Sequence, residues 1–164
     1  MPDVTHPRLQ SPGRVRRRSS KEREVAKQDS VKLLAGVPLF EGLSKQELGQ
    51  IARSAKEVTH RQGALLAREG QSGLGFFLIM EGTAAVKVGD ESRARLGVGD
   101  FFGEISLLDG GPRTATVTAE TDVTTLGLTP WVFKRLIESN PTIASKMLKV
   151  MAARLRASSQ DVRQ

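Results

Sequence analysis

Between Glu57 and Leu128 the chain is written in short apolar or alternating runs broken by glycine, at Gly63, Gly70, Gly73, Gly75, Gly82, Gly89, Gly97, Gly99, Gly103, Gly110, Gly111 and Gly127. Turn signals this close together, between runs such as Phe76–Met80, Thr83–Val88 and Thr114–Ala119, predict a compact β sandwich or roll. In the last of these runs Ala115, Val117 and Ala119 share one face and Thr116 and Thr118 the other. The periodicity is different on both sides. Asp29 is a candidate cap for a short helix to Ala35, stopped by Gly36 and Pro38. Ser44 with Glu47 forms a capping box that opens a helix over Lys45–Ser54. Pro130 suits the first position of a helix to about Glu138, and Pro141 opens a longer one to about Asp161. On that last helix Ile143, Met147, Met151 and Leu155 recur every fourth residue, beside Leu148 and Val150. The resulting apolar face can pack on the roll or on a second subunit.

Charge divides the chain of 164 residues in two. Residues 1–24 hold seven basic against three acidic side chains, so +4 of the total +7 lies there, with few apolar residues among them. Such a segment cannot offset the entropy of ordering, so a disordered basic tail is expected over 1–24 and one folded domain over 25–164. Within the tail, Arg16-Arg17-Arg18-Ser19-Ser20 has the spacing of a basophilic kinase site, although basic disordered arms are common. The nearly neutral remainder has no field to hold a nucleic acid, and all seven aromatic residues lie outside the basic stretch. Without cysteine there is no disulfide, thiol nucleophile or zinc ribbon, and His6 and His60 are too few for a metal cage or a Ser-His-acid set. No metal, cofactor or enzymatic activity is expected. The absence of an apolar run of about 18 residues, and of an apolar stretch after the N-terminal arginines, points to a cytoplasmic protein without membrane insertion.

The chemistry is concentrated in Phe102-Gly103-Glu104-Ile105-Ser106-Leu107-Leu108-Asp109-Gly110-Gly111-Pro112-Arg113-Thr114-Ala115-Thr116-Val117. One helical turn interrupts a β region and offers free backbone amides, Gly103 permits close approach, and Arg113 adds a planar fork of donors suited to phosphate. Glu104 would repel an anion, so its place beside these groups makes sense if it accepts from a sugar hydroxyl. Arg113 is expected in a solvated pocket that tolerates its loss.

This segment closely resembles the phosphate-binding cassette of the cyclic nucleotide-binding domain family, matched by Gly103, Glu104, Ile105, Ser106, Leu107, Pro112, Arg113, Thr114, Ala115 and Thr116. The resemblance extends to Val37-Pro38-Leu39-Phe40, Leu43-Ser44, Glu69-Gly70, Phe77-Leu78-Ile79, Glu81-Gly82 and Gly99-Asp100-Phe101-Phe102, covering roughly residues 31–161. It implies an α+β, mainly β fold: a jelly-roll-like β-roll with short N-terminal helices, a short cassette helix, and C-terminal B and C helices. It also implies roles. Glu104 would accept from the ribose 2'-hydroxyl, Arg113 would pair with the cyclic phosphate, and the amides of Ile105 and Ser106 with Thr114 would complete the phosphate shell. Val86 and Leu96 would line the roll, and Arg154, Ser158 and Ser159 would face ligand or base from the C helix. Thr114 fits either purine, and the serine pair inclines the ligand toward cyclic AMP over cyclic GMP.

Relatives of the catabolite-activator type continue into a helix-turn-helix, whereas this sequence ends at Gln164, so no sequence-specific DNA binding is expected. The implied protein is a non-enzymatic sensor whose C-terminal helices move when nucleotide binds, acting on a protein effector or on a second copy through the last helix. The rival is a ligand-free roll used as a scaffold for protein contacts.

Overall fold

The computed structural model describes residues 19–161. The chain opens with α1 (Ser20–Ala35), a 3₁₀ turn (Pro38–Phe40) and α2 (Lys45–Ser54). Strands β1 (Lys56–His60), β2 (Leu65–Ala67), β3 (Phe76–Glu81), β4 (Ala84–Val88), β5 (Glu91–Leu96) and β6 (Phe101–Phe102) follow. Helix α3 (Glu104–Asp109) precedes β7 (Thr116–Ala119) and β8 (Val123–Leu128), and α4 (Pro130–Ser139) and α5 (Pro141–Asp161) close the fold. Two four-stranded antiparallel sheets, ordered β1-β8-β3-β6 and β2-β7-β4-β5, form the expected roll, with helices at both ends.

The helix boundaries follow from local chemistry. At α2 the Ser44 hydroxyl accepts from the Glu47 amide at 3.2 Å and the Glu47 carboxylate accepts from the Ser44 amide at 2.7 Å, the reciprocal pattern of a capping box. Pro130 and Pro141 open α4 and α5, where a missing N–H costs nothing. The cap of α1 lies ten residues before the expected Asp29, because Ser19 and Glu22 make a second capping box with the same 2.7 and 3.2 Å bonds. The expected tail thus overlaps the helix from Ser20 on, while the Arg16–Arg18 run lies outside the described residues. Strand β7 is shorter than the alternation suggested, with Val117 and Ala119 inward as expected and Thr114 and Ala115 left in a bend before it.

Two cores result. Strand β3 feeds both, since its side chains alternate across the sheet. Phe76, Leu78 and Met80 join Leu34, Phe40, Ile51, Phe133, Ile143 and Met147 between the sheet and the helices. Phe77 and Ile79 face the roll interior with Leu96, Phe102, Val117 and Val123. Phe76 anchors the helical core by stacking on Phe133 at 4.8 Å and meeting Phe101 at 5.2 Å. His60, on β1, contacts the buried Thr125 hydroxyl at 3.3 Å.

Candidate functional site

The roll encloses a cavity of about 480 Å³, within the size range of small-molecule sites. Its wall comes from β4, β5, β7, the cassette and α5, and the residues expected there, Val86, Leu96, Gly103, Glu104, Ile105, Ser106, Thr114, Arg154 and Ser158, all line it. Ala67, Val88, Arg93, Ala94, Phe102, Ala115, Val117 and Ala157 line it too, although the sequence reading did not single them out as site residues. Ala157 follows Arg154 by three residues, so helical spacing alone would have found it. The Ser159 hydroxyl turns back onto the Leu155 carbonyl at 2.9 Å, and this residue is outside the cavity lining.

Helix α3 begins at Gly103, whose φ of +90° is a conformation other residues rarely adopt. Its tightness has a second cause: a Cβ there would collide with the Gly75 carbonyl and with Nη1 of Arg113. Ile105 and Ser106 occupy the first turn, where backbone amides have no intrahelical acceptor. The Ser106 hydroxyl donates to the Pro112 carbonyl at 3.2 Å, holding the loop that delivers Arg113.

Arg113 departs from the expected solvated position. It is only 9% exposed and lies outside the cavity lining. Its Nη1 donates to the carbonyls of Gly75 at 3.2 Å and Gly103 at 3.3 Å, and the guanidinium sits 5.7 Å from the Phe77 ring centroid. A Cβ on Gly73 would strike its Nε, so Gly73, Gly75 and Gly103 form a cradle that admits the arginine. The backbone is pinned as well, the Arg113 amide bonding Gln71 and its carbonyl accepting from Gly70. Burial pushes the Arg113 pKa down from its ordinary value and the nearby Glu104 charge opposes that shift. The group stays cationic because a guanidinium does not lose its proton in proteins.

Glu104 is 3% exposed. Its Oε1 accepts from Arg154 Nη1 at 2.7 Å, while Oε2 is buried with no partner among the described residues. An unsatisfied buried acceptor costs about 1 to 3 kcal/mol, and more when charged. Arg154 also donates through Nη2 to the Phe101 carbonyl and lies 4.9 Å from the centre of the Phe101 ring, so one arginine joins α5 to the cassette and to β6.

The family model of the cyclic nucleotide-binding domain matches residues 57–140, from β1 through α4. A cyclic nucleotide-gated potassium channel of Rhizobium etli is 40% identical over 134 residues, covering 80% of this chain and 38% of the channel. A cAMP-dependent protein kinase regulatory subunit of Mycosarcoma maydis is 41% identical over 92 residues, 54% of this chain and 18% of that protein. The catabolite activator protein of Thermus thermophilus superposes with a TM-score of 0.67 at 30% identity, covering 77% of this chain and 62% of that one. The chain thus spans well under half the length of the two curated relatives. With the roll, the cassette and the family model in agreement over the same residues, the chain belongs to the cyclic nucleotide-binding domain family.

Proposed function

We propose that this chain is a non-enzymatic sensor that binds a 3',5'-cyclic purine mononucleotide in the roll and signals by moving α5. The observation that carries the reading is Glu104: one carboxylate oxygen is held by Arg154, and the other is buried, unpartnered, in a residue that lines the cavity. A ribose 2'-hydroxyl supplies the missing donor. The cyclic phosphate would lie against the amides of Ile105 and Ser106 and against Thr114, with Arg113 behind Gly103 providing its field or swinging forward to pair with it. Cyclic AMP is the first ligand to test, because the kinase subunit's name carries it and Ser158, one of the serine pair that inclines the ligand toward cyclic AMP, lines the cavity.

The signal follows from shared use of one carboxylate. Ligand and Arg154 both bond Glu104, so occupancy changes how tightly α5 is held, and ligand drives motion only by its differential affinity for the two helix positions, typically about 1 to 3 kcal/mol. The output surface is the outer face of α5, where Leu148 and Leu155 are 66% and 69% exposed, offered to a protein effector or a second copy of the chain. The scaffold reading has one observation in its favour: Arg113 Nη1 and Glu104 Oε1 are bonded within the fold, to Gly75 and to Arg154.

Thermal shift and calorimetric titration with cyclic AMP, cyclic GMP and linear AMP separate the two. A cyclic nucleotide at about 100 times its dissociation constant should add about 2.7 kcal/mol of stability, with no effect from linear AMP. Silence from both cyclic nucleotides would leave the scaffold.

A further inference from the structure

The tip of the β4–β5 hairpin overhangs its sheet. Strand β4 pairs with β7 from Ala84 opposite Ala119 to Lys87 opposite Thr116, where β7 begins, so Val88 and the turn that follows lie beyond the paired stretch. The hairpin's own ladder is interrupted as well. Val86 lies opposite Ala94 but Lys87 opposite Ser92, a slip at Arg93, before Val88 meets Glu91 across the turn Gly89-Asp90. Such a bulge disrupts the ladder locally. Yet Val88, within the overhang, lines the cavity.

A distant loop holds the tip. Glu69 Oε2 accepts from the Gly89 amide at 2.7 Å across 20 residues of sequence, a short bond strengthened by the carboxylate's charge. The backbone of Glu69 is fixed in turn, its amide donating at 3.1 Å to the hydroxyl of Thr116, the residue at which the β4–β7 ladder ends. The two residues after it hold the cassette: the Gly70 amide donates to the Arg113 carbonyl at 2.8 Å, and the Gln71 carbonyl accepts from the Arg113 amide at 2.9 Å. Residues 69–71 thus join the hairpin tip on one side of the cavity to the cassette on the other.

We infer that Glu69 is a positioning residue for ligand binding, one that presets the hairpin tip against the cassette so that a nucleotide meets a finished wall at Val88; the inference rests on the cyclic-nucleotide reading above. Without the bond the ligand must order the tip as it binds, and affinity falls with the fraction of tips already in place. The effect on global stability is small, because Glu69 and Gly89 are both exposed and neither belongs to a core. Charge alone predicts the opposite sign, since removing a carboxylate from the neighbourhood of an anionic ligand favours binding.

The test is calorimetric titration of the full chain, Glu69→Ala and Glu69→Gln with cyclic AMP and cyclic GMP, beside amide hydrogen exchange without ligand. Glu69→Ala should weaken both nucleotides about fivefold. Its ligand-free melting temperature should stay within about 3 °C, and exchange should quicken only in residues 88–91. Glu69→Gln, which keeps an acceptor oxygen and loses the charge, should bind within about twofold of the unaltered chain. Unchanged or tighter binding by Glu69→Ala would overturn the inference. So would an equal loss in Glu69→Gln, a larger fall in melting temperature, or exchange that quickens across the whole roll. Failure of the unaltered chain to bind either nucleotide would overturn the cyclic-nucleotide reading itself, and this inference with it.

Discussion

The two halves of α5 are attached to the molecule in different ways. In the first half Ile143 and Met147 are buried in the helical core, and Lys146 donates to the carbonyls of Pro38 at 3.0 Å and Glu41 at 2.9 Å, tying the helix to both ends of the 3₁₀ turn. In the second half Met151 is only partly buried, Leu155 faces solvent, and the polar attachment is Arg154, through Glu104 and Phe101. Apolar burial is non-directional and is not displaced by a soluble ligand, whereas an ion pair to a carboxylate that lines a cavity can be. On the proposed function the first half is a fixed base and the second is the part that responds. The single helix combines both because its apolar repeat divides between core and surface near Met147.

Attacking the base should have the largest effect. Ile143→Ala removes a side chain that is 1% exposed and should cost about 2 to 5 kcal/mol in urea unfolding, through lost transfer energy and the cavity left behind. Lys146→Met keeps the stem and removes two charge-assisted bonds to backbone, at an expected cost of about 1 to 2 kcal/mol. Arg154→Ala should cost about 1 to 3 kcal/mol, because the exposed arginine side of the pair is screened while the buried Glu104 carboxylate loses its partner. Its distinctive signature is local: amide hydrogen exchange should quicken in residues 152–161 and stay unchanged in residues 141–147. If exchange quickened along the whole helix, the two halves would form one cooperative unit and the division would be wrong.

The same contrast separates what the sequence makes legible from what it hides. Capping boxes, helix-opening prolines and alternating strands are local signals, and α2, α4, α5 and the inward face of β7 lie close to where those signals put them. The box at Ser19 and Glu22 is just as local, but it is embedded in a run of charges that reads as tail. The cassette is legible because its residues are consecutive. The supports around it are not: Gly73 and Gly75 cradle Arg113 from 38 to 40 positions away, and Arg154 reaches Glu104 across 50 residues. The burial of Arg113, where a solvated group was expected, is the clearest consequence. The slip at Arg93 is a property of pairing between two strands, which single-strand alternation cannot reveal.

The smallest effect is expected on the outer face of α5, which runs along both halves. Leu148 and Leu155 are seven residues apart, two helical turns, with the exposed Ala152 between them on the same stripe. The double substitution Leu148→Ser, Leu155→Ser should change unfolding free energy by no more than about 0.5 kcal/mol when measured at low protein concentration, because neither side chain contributes to either core. A loss comparable to that of Ile143→Ala would mean that the stripe is packed within the fold and that the second half of α5 is as fixed as the first. Sedimentation velocity over a concentration series adds the complementary reading. If mass rises with concentration in the unaltered chain and not in the double variant, the stripe meets a second copy. If both remain monomeric, the stripe is left for a different protein. In either case the exposed stripe extends from the end of α5 buried in the helical core to the part that Arg154 ties to Glu104.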